Sequence, residues 1–259
     1  MLSCPSNESY GHAEVYRDYA NTYSNINGRI QHGWSALGAS VMVGDYLDKR
    51  GCKFFVWSDK WAKYGYTSMK DLVTMPKDRT FVVGAPILYV DVPKQTATKS
   101  TLAAPSHSLY DAAISVEAWK EYCAFVKAYD NNASVLMHYR DIELGYDKAI
   151  KDMGLSVVTA GHVRSYDFLA RLISIVSSYE SVLSNCVQTI CFYALWLNKY
   201  VKIAGPATPT SRSDATDARN LDWIKQNYPS LLKGTCDASL VDVELGHKLS
   251  PDEIKRIMF

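Results

Sequence analysis

Four of the six histidines, at positions 32, 107, 138 and 162, stand in short polar turns behind apolar runs, where an imidazole can meet a substrate. A histidine with its ordinary pKa of about 6.5 is mostly neutral near pH 7 and can take the proton of an attacking hydroxyl. His32 lies in Ile30-Gln31-His32-Gly33-Trp34-Ser35, ahead of a helical pattern that starts at Ala36. At the carboxyl edge of a sheet it would serve as a general base; the alternative is a ring that caps the helix or packs on Trp34. In Pro105-Ser106-His107-Ser108, hydroxyls and an imidazole suit an anionic oxygen, against the alternative of a locally bonded turn. In His138-Tyr139-Arg140-Asp141, Arg140 can grip a phosphate or carboxylate with two parallel bonds, against the alternative of a solvated loop, while Asp141 is expected to cap a helix starting at Ile142.

Two further turns complete the set. In Ala160-Gly161-His162-Val163-Arg164, Gly161 leaves room beside the backbone, and His162 or Arg164 would face a nucleotide; a solvated loop is the alternative. In Ser184-Asn185-Cys186-Val187-Gln188-Thr189, a Ser-Asn pair precedes an apolar helix, whose first N–H groups and dipole favour an anion. Every helix has such an end. The turn gains weight because the other polar turns also follow strands, and parallel strands bring their carboxyl ends to one rim.

The elements that would position these turns are legible as alternating patterns. Strands are expected at 53–57, 80–84, 101–104, 133–138, 155–159, 181–183 and 200–204, from short β-branched runs closed by Gly, Pro or polar residues. Helices are expected at 36–49, 116–129, 142–153, 166–177, 187–198 and 219–227, and from Pro251 to the end, where Ser250 caps and acids fill the first turn. This alternation predicts an α/β fold with parallel sheets. The polar stretch 91–100 reads as a linker, giving domains 1–95 and 96–259.

Several classes are excluded or disfavoured. Twenty-eight Lys+Arg against 27 Asp+Glu leave a net charge of +1, with no strongly basic field for bare nucleic acid. The longest apolar-rich stretch, 182–197, is interrupted by polar residues and falls short of the ~20 needed for a membrane span. The first residues lack a basic segment leading into an apolar core, and the six Cys form no CxxC. A cytoplasmic protein with reduced thiols is expected. The 18 Tyr are read mostly as half-buried packing. No GxGxxG, P-loop, GxSxG or DxD occurs, and no His/Cys spacing suits a metal, so neither a cofactor nor a metal is expected.

As an ordered set, the HGW turn at 32–34, VWS at 56–58, VVGAPILY at 82–89, PSHS at 105–108, VVTAGHVRSYDFLARL at 157–172 and SNCVQTICFYAL at 184–195 resemble bacterial surface-polysaccharide (capsule or O-antigen) biosynthesis proteins. That family is similar to GT-B glycosyltransferases. The His-Gly turn also resembles that of teichoic-acid polymerases, and the PSHS and Ser-Asn turns resemble the donor-phosphate motifs of sialyl- and Kdo-transferases. The resemblance implies two Rossmann-like domains with the active site in the cleft, and a nucleotide-sugar donor. It implies donor-phosphate contacts from the PSHS and Ser-Asn turns; joined to the turns read above, the expected donor contacts are His107, Ser108, Arg140, Gly161, His162, Ser184, Asn185 and Thr189, with His32 as general base and an acceptor glycan. About 95 residues precede the linker, so the N-terminal, acceptor-side domain is short for that family. Either the acceptor site is minimal, a second copy in a homo-oligomer completes it, or transfer is reduced. Two alternatives are a phage-type enzyme that glycosylates a modified DNA base and a non-catalytic sugar-nucleotide-binding subunit.

Overall fold

The computed structural model describes residues 5–36, 51–64, 66–68, 71–73, 76–91, 96–109, 112–209 and 220–259. The expected helix 36–49 lies outside them except for Ala36. The chain forms two compact units. Unit 1 comprises Met1–Val92, Val163–Ala170 and Ala238–Phe259; unit 2 comprises Pro93–His162 and Arg171–Asp237. Segments 163–170 and 238–259, which lie beyond the linker in sequence, thus belong to unit 1.

Unit 1 contains β1 (Arg29–Ile30), β2 (Phe54–Val56), β3 (Tyr66–Ser68), β4 (Asp71–Val73) and β5 (Thr80–Val82). β1, β2 and β5 form a parallel sheet in that order, while β3 and β4 pair antiparallel. Phe54, Phe55 and Val56 are fully buried, as a parallel strand covered on both faces requires. The helix His12–Tyr19 lays Ala13 and Tyr16 against Ile30, Phe55 and Val83, and the helix Pro251–Met258 adds Ile254 and Met258 to the same core. Ser250 caps that last helix as expected from its sequence, and Glu253 closes a reciprocal capping box with it.

Unit 2 contains β6 (Lys99–Ala103), β7 (Ser134–Leu136), β8 (Ser156–Val158), β9 (Tyr179–Ser184) and β10 (Tyr200–Ile203). They form one five-stranded sheet in the order β10-β9-β6-β7-β8, and every pairing is parallel. Between β6 and β7 runs the helix Val116–Tyr129, started by Ser115, whose hydroxyl accepts the Ala118 N–H at 3.2 Å. Its buried stripe is Trp119, Tyr122, Cys123 and Val126, a helical period that packs on Ala103, Val135 and Leu183. Fully burying a large apolar side chain stabilises by roughly 1.5–3 kcal/mol.

One expected helix is two. Between β7 and β8 the chain forms Tyr139–Glu143 and Tyr146–Asp152, because Gly145 at φ 78° leaves the right-handed helix region and stops the first. Asp141 is not a cap. The cap is His138, whose Nδ1 accepts the Arg140 N–H at 3.4 Å. The helices expected from 166 and 187 begin at Phe168 and Thr189.

Candidate functional site

The decisive feature of unit 2 is its strand order. From β6 the chain steps outward through β7 to β8, then returns to the other side of β6 for β9 and β10. This is the doubly wound 3-2-1-4-5 order. Its reversal between β6 and β9 is where open parallel sheets leave a crevice at their carboxyl ends. The sheet ladder runs on to Ala104, whose N–H donates to Leu183 O at 2.7 Å, and to Ala204, whose N–H donates to Ser184 O at 2.8 Å. The turns 105–108, 137–140, 159–162, 185–188 and 205–208 therefore all leave the same edge.

Three of these turns are stitched together from inside. Asn185 Oδ1 accepts the Ser106 N–H at 3.0 Å, and its Nδ2 donates to Pro206 O and Thr208 Oγ1, each at 3.0 Å. Ser106 Oγ lies 2.5 Å from Thr208 Oγ1. Gln188 Nε2 donates to Ala104 O at 2.6 Å and to Ser184 Oγ at 2.9 Å, and Ser184 Oγ donates to Cys186 O at 2.9 Å. Ser184 and Asn185 are buried, so their side chains form the frame of the crevice. Ser108 is buried too: its Oγ accepts the Ile114 N–H at 2.9 Å, and its N–H reaches the Asp141 carboxylate at 3.3 Å. Asp141 also accepts the Trp119 indole N–H at 3.2 Å. Burial pushes the Asp141 carboxyl above its ordinary range, opposed by the Ser108 hydrogen bonds and by His107. Thr189, half-buried, opens the helix Thr189–Trp196, where the Gln188 side chain makes no capping bond.

Along the same edge runs a row of rings. His107 stacks on His138 at 4.1 Å between centroids and 18° between planes. His138 lies 4.5 Å from Tyr139, and Tyr139 lies 4.4 Å from His162, which is exposed. Arg140 forms an ion pair with Glu143 at 3.1 Å. Gly161 at φ 83° leaves room for the Arg171 guanidinium: a Cβ at Gly161 would stand 3.0 Å from Arg171 Nη2. An alanine there would meet both the backbone strain and the cation.

In unit 1, the ladder likewise runs past the strands: the Gln31 N–H donates to Phe55 O at 2.8 Å and the Gly84 N–H to Trp57 O at 3.1 Å. His32 therefore leaves the carboxyl end of β1, the edge expected for it. Half-buried, it packs on Tyr10 at 4.7 Å and lies 6.4 Å from His12, which in turn lies 6.4 Å from Trp57. Burial first, and the His32 charge second, push the His12 pKa down to about 3, so His12 is neutral. Trp34 turns away to donate its indole N–H to Glu244 Oε2 at 2.9 Å, and Lys60 meets Glu244 Oε1 at 2.6 Å. Gln31, fully buried, accepts the Trp57 N–H at 3.0 Å and donates to Gly33 O at 3.1 Å. The His32 turn is thus fixed on both flanks.

No family model and no curated protein matches the sequence. Among solved structures the chain is similar to S. aureus MnaA in a co-structure with UDP, at 11% identity and a TM-score of 0.44, covering 79% of this chain and 58% of that one. It is also similar to a mutant of S. aureus TarM in complex with fondaparinux, alpha-GlcNAc-glycerol and UDP, at 11% identity and a TM-score of 0.39, covering 82% of this chain and 44% of that one. The chain spans less than two thirds of either neighbour, and neither likeness assigns it a reaction.

Of the residues singled out from sequence, the unit 2 edge gathers His107, Ser108, Arg140, Gly161, His162, Ser184, Asn185 and Thr189, while His32 belongs to the edge of unit 1. Sequence reasoning missed Thr208, which closes the frame from a Pro-rich loop, and the part of His138 and Tyr139 as linking rings. It also missed Arg171, which lies one turn into the helix Phe168–Ser177. Among the described residues, no group of three His, Cys, Asp or Glu could hold a metal ion, and no helix is long and apolar enough to cross a membrane.

Proposed function

We propose that this chain transfers a sugar from a nucleotide-sugar donor to a hydroxyl of an acceptor glycan, as an enzyme of bacterial surface-polysaccharide synthesis. The observation that carries the reading is the β6/β9 reversal in unit 2, with the PSHS and Ser-Asn turns joined across it. The donor phosphates lie over these turns. His107 and the main-chain N–H groups at the start of the helix Thr189–Trp196 face them, and Ser184, Asn185 and Ser108 hold those groups in place. Fixed donors aimed at the leaving phosphate stabilise the charge that develops as the anomeric bond breaks. Arg140, Gly161 and His162 line the continuation of the same edge. His32 takes the proton of the acceptor hydroxyl, and no metal takes part.

The test is a thermal-shift screen of UDP-, GDP-, CMP- and dTDP-sugars, followed by turnover of the donor that binds. A cognate donor at about 100 times its dissociation constant stabilises by ~2.7 kcal/mol. Transfer by the wild type persists in a chelator. His32→Ala lowers kcat by the ~10²–10⁴ of a lost general base and leaves donor affinity unchanged. If no nucleotide sugar stabilises the protein, the reading falls. If His32→Ala melts lower while the folded fraction keeps its turnover, His32 is a packing residue.

A further inference from the structure

The stacked pair His107–His138 has its protons assigned by its neighbours. A carbonyl oxygen can only accept, so the 2.9 Å contact between His107 Nδ1 and Ser108 O places a proton on that Nδ1. The atom of His107 left to gain a proton is Nε2. A backbone N–H can only donate, so the Arg140 N–H requires a bare Nδ1 on His138, which puts the His138 proton on Nε2. Protonating His138 as well would set two donors against each other and break its cap on the helix Tyr139–Glu143. Two imidazolium rings face to face at 4.1 Å would also repel.

The charges around the pair point the same way. From the helix Tyr139–Glu143, buried Asp141 accepts from Ser108, by its N–H and its hydroxyl, and from the Trp119 indole N–H, and its negative charge acts on His107. Arg140 on that helix pairs with Glu143, and Tyr139 and His162 continue the row away from His107. Arg171 stands further along, at Gly161. The side chains of the β9 turn, Ser184, Asn185 and Gln188, and Trp119 from the helix Val116–Tyr129, carry no charge.

We infer that the His107–His138 stack is a one-proton anion site: a phosphoryl or sulfate-like dianion binding at this edge draws one proton from solvent onto His107 Nε2 and leaves His138 neutral. The inference rests on the proposed phosphate site of unit 2 and adds that phosphate binding there is coupled to proton uptake.

Sulfate tests it on the full chain, because sulfate keeps its two charges over the whole titration range of imidazole. Histidine-ring ¹⁵N spectra and sulfate affinity are followed from about pH 5.5 to about pH 8.5, around the ordinary imidazole value of about 6.5. Sulfate affinity should fall toward a limit of about tenfold per pH unit at the alkaline end, as one linked proton requires. The His107 ring should carry the new proton while His138 keeps its neutral signature. In His107→Gln the pH dependence should flatten, and in His138→Phe, which keeps a ring for the stack, it should persist. Sulfate affinity that is independent of pH, no sulfate binding, or a first proton on His138 overturns the inference. A nucleotide sugar that binds and turns over with pH-independent affinity overturns the proton coupling alone. Proton-coupled sulfate binding without affinity for any nucleotide sugar upholds the anion site and overturns the donor reading alone.

Discussion

His12 cannot be protonated without bringing charge into the core of unit 1, where it is buried beside Tyr10, His32 and Trp57. Its folded pKa of about 3 lies below the ordinary 6.5, so the unfolded chain binds a proton that the native chain refuses. The stability this confers is full above pH ~6.5 and drains away as pH falls toward ~3, at ~1.4 kcal/mol per pH unit. Urea unfolding at pH 7 and pH 5 should show the wild type losing ~2 kcal/mol that His12→Phe does not lose; equal losses would mean that His12 is hydrated in the native state. A second test at this scale concerns Asn185, whose Nδ2 donates to Pro206 O. Asn185→Asp sets a carboxylate oxygen against that carbonyl and should cost at least ~1–3 kcal/mol, read as a lowered midpoint of denaturation. An unchanged midpoint would show that the frame tolerates the loss. Residue type and turn position mark Asn185 and Ser184 in the sequence as residues of a polar turn behind a strand, but not which way their side chains face. That is decided by Thr208 and Ala104, which are distant in the chain and come close only through the sheet.

The segment Ser239–Leu245 is held to unit 1 by polar anchors more than by its own helix. The Ser58 hydroxyl donates to Val243 O at 2.6 Å, the Trp61 indole to Glu244 O at 2.9 Å, and the Ala85 N–H to Leu245 O at 2.7 Å. Glu244, 2% exposed, receives both Lys60 and Trp34. Breaking a buried ion pair by removing one partner costs ~3–5 kcal/mol; Lys60 keeps 22% of its exposure and can recover some water, so Glu244→Ala should cost ~2–4 kcal/mol. A double-mutant cycle with Trp34→Phe should give a coupling of ~0.5–3 kcal/mol, and a coupling of zero would remove Glu244 as the anchor of the His32 turn. At this scale the sequence is most readable where a run is short, β-branched or aromatic, and closed by a turn or polar residue, as in β2, β5 and β7 to β10. It was least readable in the helix His12–Tyr19, whose apolar stripe of Ala13, Tyr16 and Ala20 is thin and includes the polar ring of a tyrosine. The break at Gly145 was missed because a lone glycine inside a helical pattern is usually tolerated, and only its left-handed φ of 78° shows that it ends one helix.

At the scale of the whole molecule, the two units are not two successive lengths of chain. Unit 1 takes back Ala238–Phe259 after unit 2 has been completed. A linker-like composition at 91–100 reveals where the chain first leaves unit 1, but composition carries no record of where it returns. The return is visible only as an amphipathic helix, Pro251–Met258, whose buried side chains Ile254 and Met258 need a partner face. That face is Ala13, Tyr16, Ile30, Phe55 and Val83. The union is reinforced by the Asn27 N–H on Met258 O at 2.7 Å and by Lys53 Nζ on Ile257 O at 3.1 Å. Ile254 and Met258 are both fully buried, and truncating such residues to alanine costs ~2–5 kcal/mol each. Their sum is comparable to the ~5–15 kcal/mol that holds an ordinary domain folded. A chain ending at Lys248 should therefore lose the cooperative unfolding of unit 1, whereas Lys255→Ala, on the exposed side of the same helix, should leave it within ~0.5 kcal/mol of wild type. Hydrogen exchange followed separately in the two units decides the matter. Loss of protection at Phe54–Val56 with β6 to β10 retained is the expected outcome, and full protection of Phe54–Val56 in the shortened chain would show that unit 1 closes its core without its C-terminal helix.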